Sequence, residues 1–248
     1  MAFQTLEYVG SNSGSVSNSG SPAAISVSLT ALTGGSGAAA LEGDIVIAIV
    51  GDCSSTNVNT GVATAGYTEL CNLYVSDSFD SNLIVEWKIM GATPDTTVLT
   101  DVGGTTDFAS TCVVHVWRNV DQTTPIDATT TTATGGNTGD VNPPSITPVT
   151  TNAVVIACGT SGNSGGASIT YSSIPGLSNT AQLQGEGPTI RDCLVGVGSV
   201  AWTSGAVDPS AWTITSDSTS WSYAAASIAL RPAKIPNAVK SINGVSNV

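Results

Sequence analysis

Residues 43–51, GDIVIAIVG, decide the fold that this sequence predicts. Isoleucine, valine and alanine fill the six positions between the Gly–Asp pair and the closing glycine. A short continuous apolar run bounded by turn residues is typical of a strand that is buried on both faces. Residues 152–159, NAVVIACG, have the same character in the second half of the chain. We therefore expect two buried central strands.

Further strand patterns surround both runs. Residues 24–30, AISVSLT, and 210–217, SAWTITSD, alternate apolar and polar side chains, whereas 82–90, NLIVEWKIM, is a longer apolar-rich run. Clusters of Gly, Pro, Asn and Asp separate these segments, as turns require. No segment of helical length has a convincing 3.6-residue period, so the predicted class is all-β.

The order of the strands repeats along the chain. Residues 105–118, TTDFASTCVVHVWR, align with 218–231, STSWSYAAASIALR, and GDIVIAIVG aligns with TNAVVIACG through its last glycine. We expect one antiparallel, jelly-roll-like β-sandwich over residues 1–232, formed by two interleaved pseudo-repeated halves of about 1–120 and 121–232. Two separate domains are the alternative, but no obvious linker divides the chain.

Composition excludes several classes of partner. The net charge is −12 with only six Lys and Arg residues in 248, so the basic patch that a nucleic-acid partner needs cannot form. No run approaches the roughly 18 apolar residues of a membrane span. The N-terminus, MAFQTLEYVG, lacks the pattern of a signal peptide, which predicts synthesis in the cytoplasm.

The five cysteines predict no metal site. No CxxC occurs, and one histidine cannot complete a Cys/His zinc set with the usual spacing. We expect mainly free thiols, with Cys53 and Cys193 as loop cysteines able to form a disulfide between subunits. No cofactor is predicted.

His115 is the only histidine, and its neighbours Trp117 and Arg118 suggest an active site. The repeat, however, places Ile228 at the equivalent position. A histidine whose counterpart is isoleucine is better interpreted as a packing residue. We therefore predict no catalytic residue and no enzyme.

Other candidates are equally weak. Residues 159–166, GTSGNSGG, depart from the G-x-S-x-G pattern and are interpreted as a polar loop. Asp77 and Asp80 lack EF-hand spacing and are interpreted as part of a solvated loop. Trp202 and Tyr171 are the aromatic residues that could offer a sugar-stacking surface, whereas the remaining tryptophans are expected to pack in the protein: Trp87, Trp117, Trp212 and Trp221.

Four segments together carry a family resemblance: 43–51, GDIVIAIVG; 66–70, GYTEL; 82–98, NLIVEWKIMGATPDTTV; and 111–128, TCVVHVWRNVDQTTPIDA. Their succession resembles a domain common in tailed-bacteriophage virion proteins, which has a Gly-Asp-apolar strand and a Trp-Arg-x-Val-Asp-x-Thr-x-Pro-Ile corner. The similarity covers most of residues 5–232. These motifs mark strands and corners, and no catalytic residue comes with them.

The resemblance implies a virion structural protein on the particle surface, first of all a capsid decoration or head-fibre protein. A tail or baseplate component that contacts the host receptor is the second expectation, and a carbohydrate-binding module or sugar-active enzyme is the third. The implied partners are other virion proteins, further copies in a homo-oligomer and, for receptor binding, a host-surface glycan.

The C-terminal residues 233–248 are too few to fold alone. They resemble short tails of phage structural proteins and carry Ile235, Val239, Ile242 and Val245 among polar residues. We expect this tail to contact the virion or sister subunits, with an open N-terminal edge at Phe3, Leu6 and Tyr8 as the alternative. Asp121 and Pro125 predict a tight corner between strands.

Overall fold

The structure is a computed structural model that describes residues 2–18, 23–54, 56–77, 80–101, 108–136, 140–164, 168–186, 191–216 and 221–236. Within these ranges the chain forms strands and turns but no helix. The all-β class predicted from the sequence is therefore confirmed.

The described residues form seven strands in each half of the chain. The first half contains β1 (Glu7–Asn18), β2 (Ser26–Ser28), β3 (Ile45–Asp52), β4 (Thr68–Val75), β5 (Ser81–Ile89), β6 (Thr97–Leu99) and β7 (Phe108–Arg118). The second half contains β8 (Ile126–Gly135), β9 (Val154–Ser164), β10 (Ile169–Ser173), β11 (Ser178–Gly185), β12 (Arg191–Ala201), β13 (Thr213–Ser216) and β14 (Ser222–Leu230).

Each half forms its own five-stranded antiparallel sheet. The strand order is β1-β7-β3-β5-β4 in the first sheet and β8-β14-β9-β12-β11 in the second. The sheets pack face to face, which confirms the β-sandwich. The predicted interleaving of the halves is wrong, because each strand pairs with neighbours from its own half and no main strand joins the other sheet. Most of these pairs join strands that are not consecutive along the chain, and only β4–β5 and β11–β12 are successive.

The first, fourth, fifth and seventh strands of each half hold the same places in the two sheets. The central place is taken by the third strand of the first half, β3, and by the second strand of the second half, β9. The ladders pair Ile47 with His115 and Ile156 with Ile228. Because His115 aligns with Ile228, the ladders match Ile47 with Ile156. The alignment through Gly51 and Gly159 would instead match Ile47 with Val155, which is one residue away. A one-residue shift exchanges the two faces of a strand, so only the ladder gives the correct match. The duplication itself remains a prediction, which superposition of the halves tests.

One apolar core lies between the sheets and is shared by both halves. The central strands send alternate side chains into it, namely Ile45, Ile47, Ile49, Val154, Ile156 and Cys158. Trp117 of β7 is buried here, and Trp87 packs against the same cluster. Burial of this apolar surface is what holds the two sheets together.

Smaller two-stranded sheets cover the outer faces. The β2–β6 pair places Val27 and Val98 against Val46 of the first sheet. The β10–β13 region places Tyr171 and Trp212, with ring centroids 5.2 Å apart, against the second sheet. Because both faces are covered, every residue of β3 is buried, which explains its continuous apolar sequence. With Trp221 packed on this outer cluster, the predicted packing role of the four tryptophans is confirmed.

The sheets approach closely at the end where β3 and β9 finish, which we call the distal end. The Ser81 hydroxyl of the first sheet lies 2.7 Å from the Ser222 hydroxyl of the second and accepts a hydrogen bond from Gly162 N–H at 2.8 Å. A Cβ atom at Gly162 would lie 2.3 Å from the carbonyl oxygen of Asp80 in the facing sheet. Only a residue without a side chain fits here.

We expect Gly162→Ala to lower the free energy of unfolding by about 1–3 kcal/mol, because the added methyl group forces the sheets apart. Gly91→Ala is the matched control, since a Cβ there meets no atom within 4 Å, and its effect should stay within about 0.5 kcal/mol. Denaturant unfolding of both variants measures the difference. Equal stabilities would contradict the close approach of the sheets.

Candidate functional site

The N- and C-terminal segments of the described chain meet at the end opposite the distal end. Gln4 N–H donates to the Ala233 carbonyl at 2.8 Å, and Ile235 N–H donates to the Ala2 carbonyl at 2.9 Å. We call this region the terminal end, comprising residues 2–5, 41–44, 118–125, 149–152 and 231–236. Any chain that continues beyond either segment leaves from here.

The expected open N-terminal edge is not observed. Phe3 forms a β-bridge with Lys234, and Leu6 is buried in the core between the sheets. The Tyr8 ring packs on His115 with centroids 4.7 Å apart. Local sequence could not reveal this, because the covering partners lie more than a hundred residues away.

Exposed apolar side chains collect at the terminal end. Ile235, the first residue of the predicted contact set, is 47% exposed, and Leu41 and Val149 are 53% and 73% exposed. The other predicted contact residues, Val239, Ile242 and Val245, lie outside the described residues. Local sequence does not single out Leu41 or Val149, since an isolated apolar residue in a loop carries no pattern.

An ion pair between the buried Asp44 and the partly exposed Arg118 connects the start of β3 to the end of β7. Arg118 donates from Nε to Asp44 Oδ1 at 2.8 Å and from Nη2 to Asp44 Oδ2 at 2.9 Å. Leu41 N–H donates to the same carboxylate at 2.8 Å, and the Asp44 side chain has no exposed surface. The pair therefore fixes the loop that leads into the central strand.

The second half uses the equivalent arginine in a similar way. Arg231 donates from Nε to Asp127 Oδ1 at 2.9 Å, and the N–H groups of Val149 and Thr150 donate to Oδ2 at 2.6 and 2.8 Å. Burial by itself would raise the pKa of Asp127. The hydrogen bonds from Thr150, Val149 and Arg231 outweigh burial and hold that pKa below its ordinary value.

The corner after β7 is tight, as predicted. Asp121 Oδ1 accepts the N–H groups of Thr123 and Thr124, each at 2.9 Å, and Arg231 N–H donates to the Pro125 carbonyl at 2.7 Å. A recess of about 350 Å³ lies beside this corner, lined by Gln4, Glu42, Gly43, Arg118, Asn119, Val120, Gln122 and Ala233.

His115 lies in the core and joins the two sheets. Trp117 Nε1–H donates to its Nδ1 at 3.3 Å, so Nε2 carries the proton and donates to the Asn179 carbonyl of β11 at 2.8 Å. Burial lowers the pKa of His115 to about 4, which leaves the ring neutral at pH 7. No part of the residue is exposed. The geometry is that of a packing residue whose two nitrogens are both hydrogen-bonded.

All five cysteines are buried and in the thiol form. The expectation that Cys53 and Cys193 lie in accessible loops is wrong. Cys193 belongs to β12, and both side chains have no exposed surface, so a second subunit cannot reach them. Burial raises the pKa of the Cys112 thiol to about 12, which keeps it unreactive.

Two loop interpretations also change. Residues 159–164 belong to β9, and the buried Ser161 hydroxyl lies 3.2 Å from the Tyr171 hydroxyl. Asp80 is buried rather than solvated, and it accepts hydrogen bonds from Asp77 N–H at 2.8 Å and Tyr74 OH at 3.2 Å. No group of three or more metal-ligating side chains occurs among the described residues.

The two aromatic residues suggested for sugar stacking do not form an exposed platform together. Tyr171 lines a groove of about 330 Å³ between β10 and β11, but its ring is only 3% exposed. Trp202 lies partly exposed after β12, where its Nε1–H donates to the Gly205 carbonyl at 2.8 Å. The groove is lined mainly by hydroxyl, amide and aliphatic groups.

No protein-family model, no curated protein and no solved structure matches this chain. Among the described residues, no helix has the length and apolar character needed to cross a membrane.

We expect Asp127→Asn to lower the free energy of unfolding at pH 7 by about 2 kcal/mol, somewhat less than for a fully buried pair because Arg231 is partly exposed. The folded-state pKa of Asp127 is depressed, so its contribution is present at neutral pH and is lost as pH falls below about 3.9. Asp208→Asn, at an exposed position, is the control and should change stability little. Urea unfolding at several pH values measures both, and a pH-independent difference would contradict the ion pair.

The single histidine allows a direct test of its burial. We expect its imidazole NMR signal to titrate with a pKa near 4 in the folded protein. In the unfolded chain this residue protonates near pH 6.5 and so binds more protons than in the folded chain, which means that its contribution to stability is lost as pH falls from 6.5 to 4. The buried Asp52, whose pKa burial raises to about 6, contributes in the opposite sense over part of this range. The measurement is therefore the stability of the wild-type chain relative to His115→Ile, and this difference should shift against the wild type as pH falls from 6.5 to 4. A folded-state signal that titrates near pH 6.5 would contradict the buried, neutral ring.

Proposed function

We propose that this chain is a structural protein of a bacteriophage virion, exposed on the particle surface as a capsid decoration or head-fibre protein. The observation that carries the proposal is the contact between two separate parts of the family pattern. Asp44 belongs to the Gly-Asp-apolar strand, and Arg118 belongs to the Trp-Arg corner. These two residues form the bidentate ion pair, in which the Asp44 carboxylate is buried and Arg118 is partly exposed.

That contact gives the resemblance a physical basis. An isolated strand motif occurs by chance in many β proteins, whereas two distant motifs whose charged residues depend on each other are more specific. A buried aspartate without its arginine would be an uncompensated charge that costs several kcal/mol. The pattern is therefore expected to be inherited as a unit.

The placement of the chain ends supports an attached, surface-exposed role. Both terminal segments leave from one end of the sandwich, together with the exposed Leu41, Val149 and Ile235. In our proposal this end faces the particle, and the tail residues Ile235, Val239, Ile242 and Val245 contribute to the contact with virion proteins. Each buried apolar side chain would stabilise the contact by about 1–2 kcal/mol. The distal end then faces outward.

The attachment test follows from the pairing of Ile235 with Ala2. A deletion of residues 237–248 leaves that pairing intact, whereas a deletion from 234 onward removes it. We expect the 237–248 deletion to stay folded, as judged by circular dichroism and thermal unfolding, but to be missing from purified particles. Mass spectrometry of particles assembled with tagged full-length or truncated chain measures incorporation.

A matched pair of tail variants separates side-chain contact from tail length. Replacing Val239, Ile242 and Val245 by serine should abolish incorporation, and replacing Ser241, Asn243 and Ser246 by alanine should preserve it. Full-length chain that is absent from particles would contradict the proposed function. Normal incorporation of the deletion variant would assign attachment to the sandwich instead.

A further inference from the structure

The two strands at equivalent edges of the sheets, β1 and β8, differ in how they are covered. Residues 33–37 run along the open side of β1, where Ser11 and Thr33 exchange two backbone hydrogen bonds of 2.9 Å and Gly37 N–H donates to the Val9 carbonyl. In contrast, β8 is the last strand of its sheet and pairs with β14 alone. None of the described residues gives its other side a backbone hydrogen bond.

The sequence of β8 lacks the usual protection of an edge strand. Proteins protect open edges with charges, prolines, bulges or a covering segment. Asp127 is engaged by Arg231, and residues 128–136, ATTTTATGG, contain no charge and no proline. The ladder is irregular near Ala128 but regular from Thr131 to Gly135. That regular part is an uncharged edge rich in the β-forming residue threonine.

A further feature points to pairing with a second copy. The chain carries a net charge of −12, so two copies repel each other over most of their surfaces, and an uncharged edge is where they can approach.

We propose that β8 pairs antiparallel with β8 of a second copy, so that the two outer sheets join across a two-fold axis. A register centred on Ala133 places Thr132 opposite Thr134 of the partner subunit, and Thr131 opposite Gly135 of the partner subunit. Cross-strand threonine pairs stabilise antiparallel sheets. The contact is isologous, because each copy contributes the same residues.

The C-terminal tail is a poorer occupant of this edge. Its apolar residues Val239, Ile242, Val245 and Val248 recur every third position. A strand with one buried face requires a spacing of two. Self-pairing of β8 needs no such match, since threonine and alanine occupy both of its faces.

The test uses the purified full-length chain in sedimentation-velocity and light-scattering experiments, and it requires no phage particle. We expect a concentration-dependent dimer. Thr132→Lys places like charges near each other across the two-fold axis and should raise the dimer dissociation constant about tenfold or more, whereas Thr180→Lys on the uncharged edge strand β11 should leave it unchanged.

A mixing experiment identifies the contacting strand. Thr132→Lys and Thr132→Glu should each dimerise weakly, and an equimolar mixture should form heterodimers because opposite charges now meet. Hydrogen exchange should show concentration-dependent protection in residues 131–135 but not in β1. A strictly monomeric wild-type chain, a dimer unaffected by Thr132→Lys, or a dimer lost only on deletion of residues 237–248 would each overturn the proposal. The outcome is independent of whether the chain is found in virions.

Discussion

The terminal end depends on two buried carboxylates. One is held by Arg118, the last residue of β7, and the other by Arg231, which directly follows β14. Asp44 and Asp127 have no exposed side-chain surface, so their charges need full compensation from Arg118 and Arg231 and from loop N–H groups. Each set of bonds fixes the loop before the central strand against the strand beside it. The sheets can then pack with every residue of β3 buried.

The two halves meet this requirement from different positions in sequence. Arg118 and Arg231 are equivalent, but Asp44 precedes β3 whereas Asp127 lies in β8. Each arginine thus pairs with a carboxylate that also accepts hydrogen bonds from loop N–H groups. The carboxylate comes from a different place in each half. The residue that adopts a positive φ before the central strand also differs between the halves. It is Gly43 in the first half and Asn152 in the second.

Differences between the halves are more informative about interactions than their similarities. In the interior, His115 pairs with Ile47 where Ile228 pairs with Ile156 in the second sheet, and the histidine makes its own inter-sheet hydrogen bond. The edges differ, since residues 33–37 cover β1, whereas no described residue gives the outer side of β8 a backbone hydrogen bond. The two ends of the sandwich also differ. The N- and C-terminal segments meet at the terminal end, whereas the sheets approach closely at Gly162 at the distal end.

The sequence alone determined what depends on neighbouring residues: the all-β class, the buried central strands, the packing of the tryptophans and the corner at Asp121. Periodicity and turn chemistry are local, so they can be read without a structure. Only the tertiary structure decided that each half forms its own sheet, that Ile47 matches Ile156, that Cys53 and Cys193 are inaccessible and that the N-terminal edge is covered. These properties depend on which distant strands and segments come together, and a strand pattern carries no information about its partner or its register.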